Sequence, residues 1–156
     1  MPDTPQALAN RLREEGARVF DFFNNLSDSQ WEMQLYPPDS DWTLHHLLAH
    51  FASSEIGHKI LVQNIISGGQ GVPSDFDVDI FNQREVGKLL EKSNAYLLDL
   101  FIKARAELVG LVSDLDIYDL HRIGNDPYLG TVPLLDIIKL TYRHLQIHLR
   151  DARRCL

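Results

Sequence analysis

Hydrophobic residues recur at intervals of three and four along four long segments of the chain, which is the spacing of one face of an α-helix. This pattern predicts helices from Pro5 to about Leu26, from Leu44 to about Ile66, from about Phe81 to Val112 and from Leu134 to Cys155. A threonine stands at the expected N-cap of the first two helices, and no segment shows the alternation typical of a β-strand. The predicted fold is therefore an all-α four-helix bundle with long connecting loops, formed by a single domain over residues 1–156.

The connecting segments contain turn-forming residues. Ser27 is expected to cap a short turn before the segment QLYPPDSD, whose paired prolines cannot continue a helix. Residues 113–130 are expected to form a loop because they contain the run NDP and a later glycine. Thr131 and Pro133 then mark the start of the last helix.

Three alternating carboxylates, Asp75, Asp77 and Asp79, lie between the second and third predicted helices. Such a run can begin a calcium-binding loop. Here, however, Ile80 stands where that loop needs its turn glycine, and Val86 stands where it needs a bidentate glutamate. We therefore expect the three aspartates to be solvated loop residues and helix caps.

Composition and charge narrow the range of partners. The chain of 156 residues has 22 acidic and 15 basic side chains and a net charge of -7, so no nucleic acid partner is expected. No apolar run approaches the roughly 20 residues of a membrane span, and the first residues lack a signal peptide pattern. We expect a cytoplasmic protein without a membrane partner. The single cysteine, Cys155, excludes an internal disulfide and is poorly placed for a catalytic thiol.

Two histidines of the last predicted helix are spaced as metal ligands. His144 and His148 are four residues apart, so their side chains project from one face of the helix about one turn apart. His148 also stands in a slot where the apolar stripe of this helix should continue. The pair can bind a single metal ion. The alternative is that both rings only hydrogen-bond to neighbouring groups at a helix interface.

A third ligand can come from the second predicted helix. On its helical projection His45 and His46 point away from the apolar stripe and are expected to be solvated, whereas His50 lies on the flank of the stripe. His58 lies on the stripe but about two turns further along, so His50 is the better candidate. His121 is expected at the surface of a loop. Three neutral imidazoles and a water form an open catalytic site of the zinc type.

Several motifs together resemble those of the DinB-like (YfiT-like) superfamily, whose members are regarded as metalloenzymes. They are WTLHHLLAHFASSE, with a tryptophan eight residues before His50, HLQIHLRD, with the pair His144 and His148, and DIFN at the start of the third predicted helix. The resemblance implies a DinB-like bundle in which these three histidines bind a divalent metal, most often nickel or zinc. It also implies small-molecule chemistry, because family members include thiol S-transferases that use low-molecular-weight thiols and a maleylpyruvate isomerase.

The resemblance leaves the reaction open. We expect a thiol-dependent transferase in which the metal activates the thiol, or a hydrolase that uses a metal-bound water. Glu55 is a candidate general base or outer-sphere carboxylate, although a buried salt bridge to Arg143 or Arg150 explains it as well. Asn82 and Arg143 are further pocket candidates. A third alternative is a non-catalytic, stress-associated bundle that binds an apolar small molecule, and a homodimer is expected.

Overall fold

The computed structural model describes residues 3–38 and 40–156. Within these ranges the chain forms six α-helices, one 3-10 helix and one β-hairpin, in the order α1 (Pro5–Asn24), α2 (Asp28–Trp31), α3 (Leu44–Ile66), α4 (Val78–Leu89), α5 (Asn94–Ser113), the 3-10 helix (Ile117–His121), β1 (Ile123–Asp126), β2 (Gly130–Pro133) and α6 (Leu134–Cys155). The long helices α1, α3, α5 and α6 pack as a bundle. None of the described helices is long and apolar enough to cross a membrane.

Local capping explains why three helices begin where the sequence predicts. The side chain of Thr4 accepts a hydrogen bond from the backbone N–H of Ala7 at the start of α1, and Thr43 accepts one from His46 at the start of α3. Ser27 closes a capping box with Gln30 and starts the short helix α2. The predicted bounds of the last helix also agree with those of α6.

The third predicted helix is wrong as a single element, because it is two helices with a break. Asp77 caps α4, which therefore begins at Val78 rather than Phe81, and Ser93 caps α5 by accepting from the N–H of Tyr96. The apolar spacing of the sequence continues across the break, which is why periodicity alone predicts one helix. The break allows α4 to lie against α3.

A β-hairpin replaces much of the loop predicted between the last two long helices. Its strands β1 and β2 are antiparallel, and they are too short for a visible alternation of polar and apolar residues. Thr131 lies in β2 rather than at a helix start. The hairpin packs against α3 through Gly124, where an added Cβ would lie 2.3 Å from Ile65 Cδ1, so only glycine allows this close approach.

The hydrophobic core has two halves, and each long helix contributes to both. One half includes Phe23, Leu47, Phe51, Phe101 and Leu149. The other includes Leu12, Leu61, Leu108, Ile137 and Leu134. Buried polar residues lie between the halves, among them Glu15 on α1, Glu55 on α3, Arg105 on α5 and Thr141 on α6. We call these four residues the polar layer.

An ion pair at the centre of the polar layer joins three helices. Both Glu55 and Arg105 are almost fully buried, with 1% and 4% of their side chains exposed. Arg105 Nε and Nη2 both donate to the Glu55 carboxylate, and Nη1 donates to the backbone carbonyl of Leu12 at 2.8 Å. The two buried charges are tolerated because they are opposite in sign and hydrogen-bonded to each other.

Removing one partner of this ion pair should destabilise the fold strongly. We expect Glu55→Leu to lower the free energy of unfolding by about 3 to 5 kcal/mol, because Arg105 keeps a buried charge without its counterion. The double variant with Arg105→Met should lose much less than the sum of the single variants. Urea denaturation measures the free energy of unfolding of the single and double variants. As a control, Glu107→Gln breaks an exposed pair with Lys59 and should have a far smaller effect. Additive losses in the double variant would contradict the role assigned to the pair.

Candidate metal centre

The structure brings together the three histidines selected from the sequence. His50 projects from α3 and His144 and His148 project from α6, and one nitrogen from each lies within 4.8 Å of the other two. The Nε2 atoms of His144 and His148 are 3.0 Å apart. The ring of His50 is centred 5.3 Å from that of His144 and 5.5 Å from that of His148. This arrangement allows the three rings to share one cation.

Packing between α3 and α6 explains why the rings converge. His144 and His148 lie one helical turn apart, so the same face of α6 carries both. Leu145 and Leu149 of α6 are buried in the same core half as Phe51 of α3, which follows His50 directly. The apolar contacts therefore hold the two helices together beside the point where the three rings meet.

Burial keeps the histidines uncharged at neutral pH. Loss of solvent is the main cause that lowers the pKa of His50 to about 3 and that of His144 to about 4, and the proximity of the other histidines adds to it. Burial also lowers the pKa of His148, against the opposing effect of the Asp151 carboxylate. A neutral imidazole has a nitrogen lone pair, which is the form that binds a metal.

Two buried nitrogens of the cluster find no hydrogen-bond partner. They are the Nδ1 atoms of His50 and His144, which contact no donor or acceptor within residues 3–38 and 40–156. A histidine cluster with a purely structural role normally satisfies such atoms. Three neutral imidazoles whose ring nitrogens lie within 4.8 Å of one another are, in contrast, the donor set of zinc, nickel, copper or iron centres. The residues present therefore fit a divalent transition metal.

His148 has a hydrogen-bonded partner that fixes its tautomer. Its Nδ1 lies 3.3 Å from the hydroxyl of Tyr36, and that hydroxyl donates to Asp151 Oδ2 at 2.9 Å. Burial and the Asp151 carboxylate raise the pKa of Tyr36 to about 12, so the phenol stays protonated. Because the phenol donates to Asp151, it accepts from His148 Nδ1–H, which leaves the Nε2 lone pair facing the cluster. Tyr36 also has a φ of 57°, a left-handed conformation that is costly for a non-glycine residue.

A cleft of about 730 Å³ opens over the three histidines. Small-molecule sites commonly measure about 300 to 1,000 Å³. Trp42 lies 5.4 Å from the ring of His50, and Tyr128 lies 5.9 Å from the ring of His144, so aromatic walls stand on both sides of the cluster. Among the described residues that line the cleft, Asp41 and Asp79 have carboxylates and no lysine or arginine occurs.

The other predicted site residues lie in different places. Asn82 lines the cleft and donates a hydrogen bond to the hydroxyl of Tyr128 at 3.1 Å. Glu55 does not line the cleft, and its salt-bridge partner is Arg105, so the predicted pairing with Arg143 or Arg150 is wrong. Arg143 is exposed and lies outside the cleft lining. Sequence periodicity places Glu55 on the buried stripe but gives no information about which distant arginine reaches it.

Four further histidines have roles that differ from one another. His45 was predicted to be solvated, which is wrong: its Nε2 donates to the carbonyl of Leu90 at 2.9 Å and its Nδ1 contacts Asn94, at the break between α4 and α5. His46 is half-buried, stacks on Trp42 and lines the cleft. His58 lines a separate groove. His121 is exposed, as predicted.

Two residues beside the histidines, Tyr36 and Asp151, were not predicted from the sequence. Asp151 follows His148 by three residues on the same helix, and this spacing is the one signal that could have indicated it. Tyr36 comes from a loop more than a hundred residues away in sequence, and no local pattern connects it to His148.

The buried histidines should make the stability of the metal-free protein depend on pH. An unfolded histidine has a pKa of about 6.5, whereas folding lowers that of His50 to about 3, so the unfolded state binds more protons between these values. Stability is therefore complete above about pH 6.5 and is lost as the pH falls. Between about pH 7 and about pH 4.5, His50→Gln should reduce this loss by roughly 2 kcal/mol. Urea denaturation at each pH, in the presence of a chelator, measures the free energy of unfolding. The control His121→Gln should keep the wild-type pH dependence, and an unchanged dependence in His50→Gln would contradict the expectation.

The hydroxyl of Tyr36 should support metal binding through His148. Tyr36→Phe keeps the ring but removes the partner of His148 Nδ1, and we expect zinc or nickel affinity to fall by about 10- to 100-fold. Competition with a chromogenic chelator measures the dissociation constant. Tyr118→Phe is the matched control because Tyr118 is 79% exposed, and it should bind metal like the wild type. Equal affinities in both variants would show that Tyr36 does not orient the ligand.

Comparison with known proteins identifies the family. Two solved structures of similar fold are the mycothiol-dependent maleylpyruvate isomerase and a histidine-to-alanine mutant of it, with 17% and 16% sequence identity and a TM-score of 0.78 in both cases. Each match covers 97% of this chain and 61% of that chain, so this protein spans about three fifths of the isomerase. No curated protein sequence matches significantly. The sequence profile of the DinB superfamily matches residues 11–152, and the chain belongs to this superfamily.

Proposed function

We propose that this protein is a divalent-metal-dependent S-transferase that joins a low-molecular-weight thiol, through its sulfur, to a small electrophile. One observation carries the proposal. Three uncharged imidazoles converge at the floor of a cleft of about 730 Å³, so a cation bound there is accessible to a ligand in the cleft. The cleft is large enough for a small thiol and a small second substrate together.

His50, His144 and His148 are the residues that hold the metal, with zinc or nickel as the preferred ions for an imidazole donor set. A divalent cation on three neutral imidazoles lowers the pKa of a thiol or a water that binds to it. Tyr36 and Asp151 hold the ring of His148 in the orientation that keeps Nε2 free. The histidines themselves do not take up a proton at neutral pH.

The thiol is the preferred nucleophile for two reasons. The chain's single cysteine, Cys155, does not line the cleft, so a sulfur nucleophile has to arrive with a cosubstrate. Glu55, the carboxylate expected to activate water, is paired with Arg105 instead. The similarity in fold to a mycothiol-dependent enzyme further supports a low-molecular-weight thiol as the cosubstrate.

The overall transfer joins the thiol sulfur to the electrophilic carbon. The sulfur supplies the electron pair of the new carbon–sulfur bond, the leaving group keeps the pair of the bond that breaks, and the thiol proton is released to solvent or to the leaving group. Trp42 and Tyr128 limit access of water to the reacting atoms because they flank the histidines. Asn82 contributes an amide at the same wall.

Hydrolysis is the second candidate, because the carboxylates of Asp41 and Asp79 line the cleft and can accept a proton from water. The two reactions differ in one requirement. A thiol transferase turns over an electrophile only when a thiol is added, whereas a hydrolase consumes it without one.

Metal uptake and thiol dependence test the proposal. Untagged protein should contain about one zinc or nickel per chain by elemental analysis, and His144→Ala should lose at least about tenfold in affinity, while His121→Ala should not. The metal-loaded wild type should accelerate the reaction of monobromobimane with cysteine, glutathione or N-acetylcysteamine above the uncatalysed rate. Protein that takes up none of the divalent transition metals would favour the non-catalytic binding bundle, and turnover independent of thiol would favour hydrolysis.

A further inference from the structure

A second concave surface, which we call the apolar groove, lies beside the metal cleft. Its volume is about 250 Å³, and no lysine, arginine, aspartate or glutamate occurs among the described residues that line it. Its walls come from α3, from the loop before α4 and from the first turns of α4, and include Gly57, Leu61, Val72, Phe76 and Phe81. The groove is therefore suited to an uncharged, apolar group.

The apolar groove and the metal cleft share two lining residues. Asn82 and Tyr128 line both, and they hydrogen-bond to each other at 3.1 Å. The ring of Tyr128 is centred 5.9 Å from the ring of His144. A molecule that extends from the groove into the metal cleft would therefore contact this pair of side chains.

His58 adds one polar feature to the groove. Its Nδ1 donates to the carbonyl of Ser54 at 2.9 Å, so Nε2 is the hydrogen-bond acceptor of the ring. Burial lowers the pKa of His58, which keeps the ring neutral. The groove thus provides an acceptor but no charge.

We propose that the apolar groove binds an aryl or medium-length alkyl group of the electrophilic substrate, whose reactive carbon then lies in the metal cleft. The inference rests on the proposed function and specifies its substrate class. An apolar cavity of about 150 Å³ holds a benzene ring, so about 250 Å³ accommodates a ring with a short substituent or a chain of roughly six to eight carbons. The cleft has two carboxylates in its lining, Asp41 and Asp79, and the described lining of the groove has no charged residue, so the two ends of the substrate differ in polarity.

Gly57 allows a direct test. A Cβ added there would lie 3.8 Å from Phe81 Cε1 and Cζ, an ordinary contact, so the atoms beyond Cβ in Gly57→Leu extend into the groove. Gly110 is the matched control: it also lies inside a long helix, an added Cβ meets nothing within 4 Å, and it does not line the groove. Val72→Phe fills the groove from the opposite wall and serves if Gly57→Leu does not fold.

The first measurement uses metal-free protein and primary alcohols from butanol to decanol, with affinity determined by calorimetry. We expect about threefold to fourfold tighter binding per methylene up to six to eight carbons, and no further gain once the groove is full. Gly57→Leu or Val72→Phe should lose this binding at least tenfold, and Gly110→Leu should keep it. Alcohols that do not bind, or that bind equally to all variants, overturn the inference.

The second measurement uses metal-loaded protein with a thiol and alkyl bromoacetates from ethyl to octyl. We expect kcat/KM to rise with chain length in the wild type and in Gly110→Leu, and to stay flat in Gly57→Leu. A flat series in the wild type, with alcohol binding intact, overturns the assignment of the groove to the electrophile. If no ester is turned over while alcohols bind in the groove, the proposed function fails, and the alcohol series still supports the groove as a site for an apolar chain.

Discussion

The buried ion pair between Glu55 and Arg105 is the interaction on which the arrangement of the helices depends. It lies in the polar layer that divides the hydrophobic core, and it joins α3 to α5, while the third hydrogen bond of Arg105 joins α5 to α1. Apolar contacts alone tolerate sliding of one helix along another, because they have no direction. A buried charge does not tolerate such sliding, because any shift that breaks its hydrogen bonds leaves the charge unpaired. The pair therefore fixes the position of α3, and with it that of His50.

Burial of ionisable side chains has a different outcome at the three histidines than at the polar layer. At the polar layer two opposite charges compensate each other, whereas at the metal centre burial removes the charge from His50 and His144 by lowering their pKa. Two ring nitrogens there lack hydrogen-bond partners. The ion pair of the polar layer is thus hydrogen-bonded, whereas the histidine cluster keeps two buried nitrogens without a partner among the described residues, which accords with the candidate site there.

The elements governed by local chemistry were predictable from the sequence, and the elements governed by distant contacts were not. Helix starts were predictable at Thr4, Ser27 and Thr43, because the side chain of each accepts a hydrogen bond from the backbone N–H three residues later. The choice of His50 over His58 followed from helical geometry in the same way. In contrast, the break before Ser93 is stabilised by His45 from another helix, and the partner of Glu55 was misassigned. The apolar spacing of a sequence does not contain such pairings.

The two elements that sequence periodicity missed are the ones that shape the cleft. The separate helix α4 supplies Asn82, and the turn of the hairpin supplies Tyr128, which stands beside His144. These residues hydrogen-bond to each other, and neither contributes to the ion pair of the central bundle. The three histidines of the candidate metal centre thus come from the long helices, whereas these two lining residues of the cleft come from α4 and the hairpin. The hydrogen bond between Asn82 and Tyr128 joins these two elements at the boundary of the polar cleft and the apolar groove.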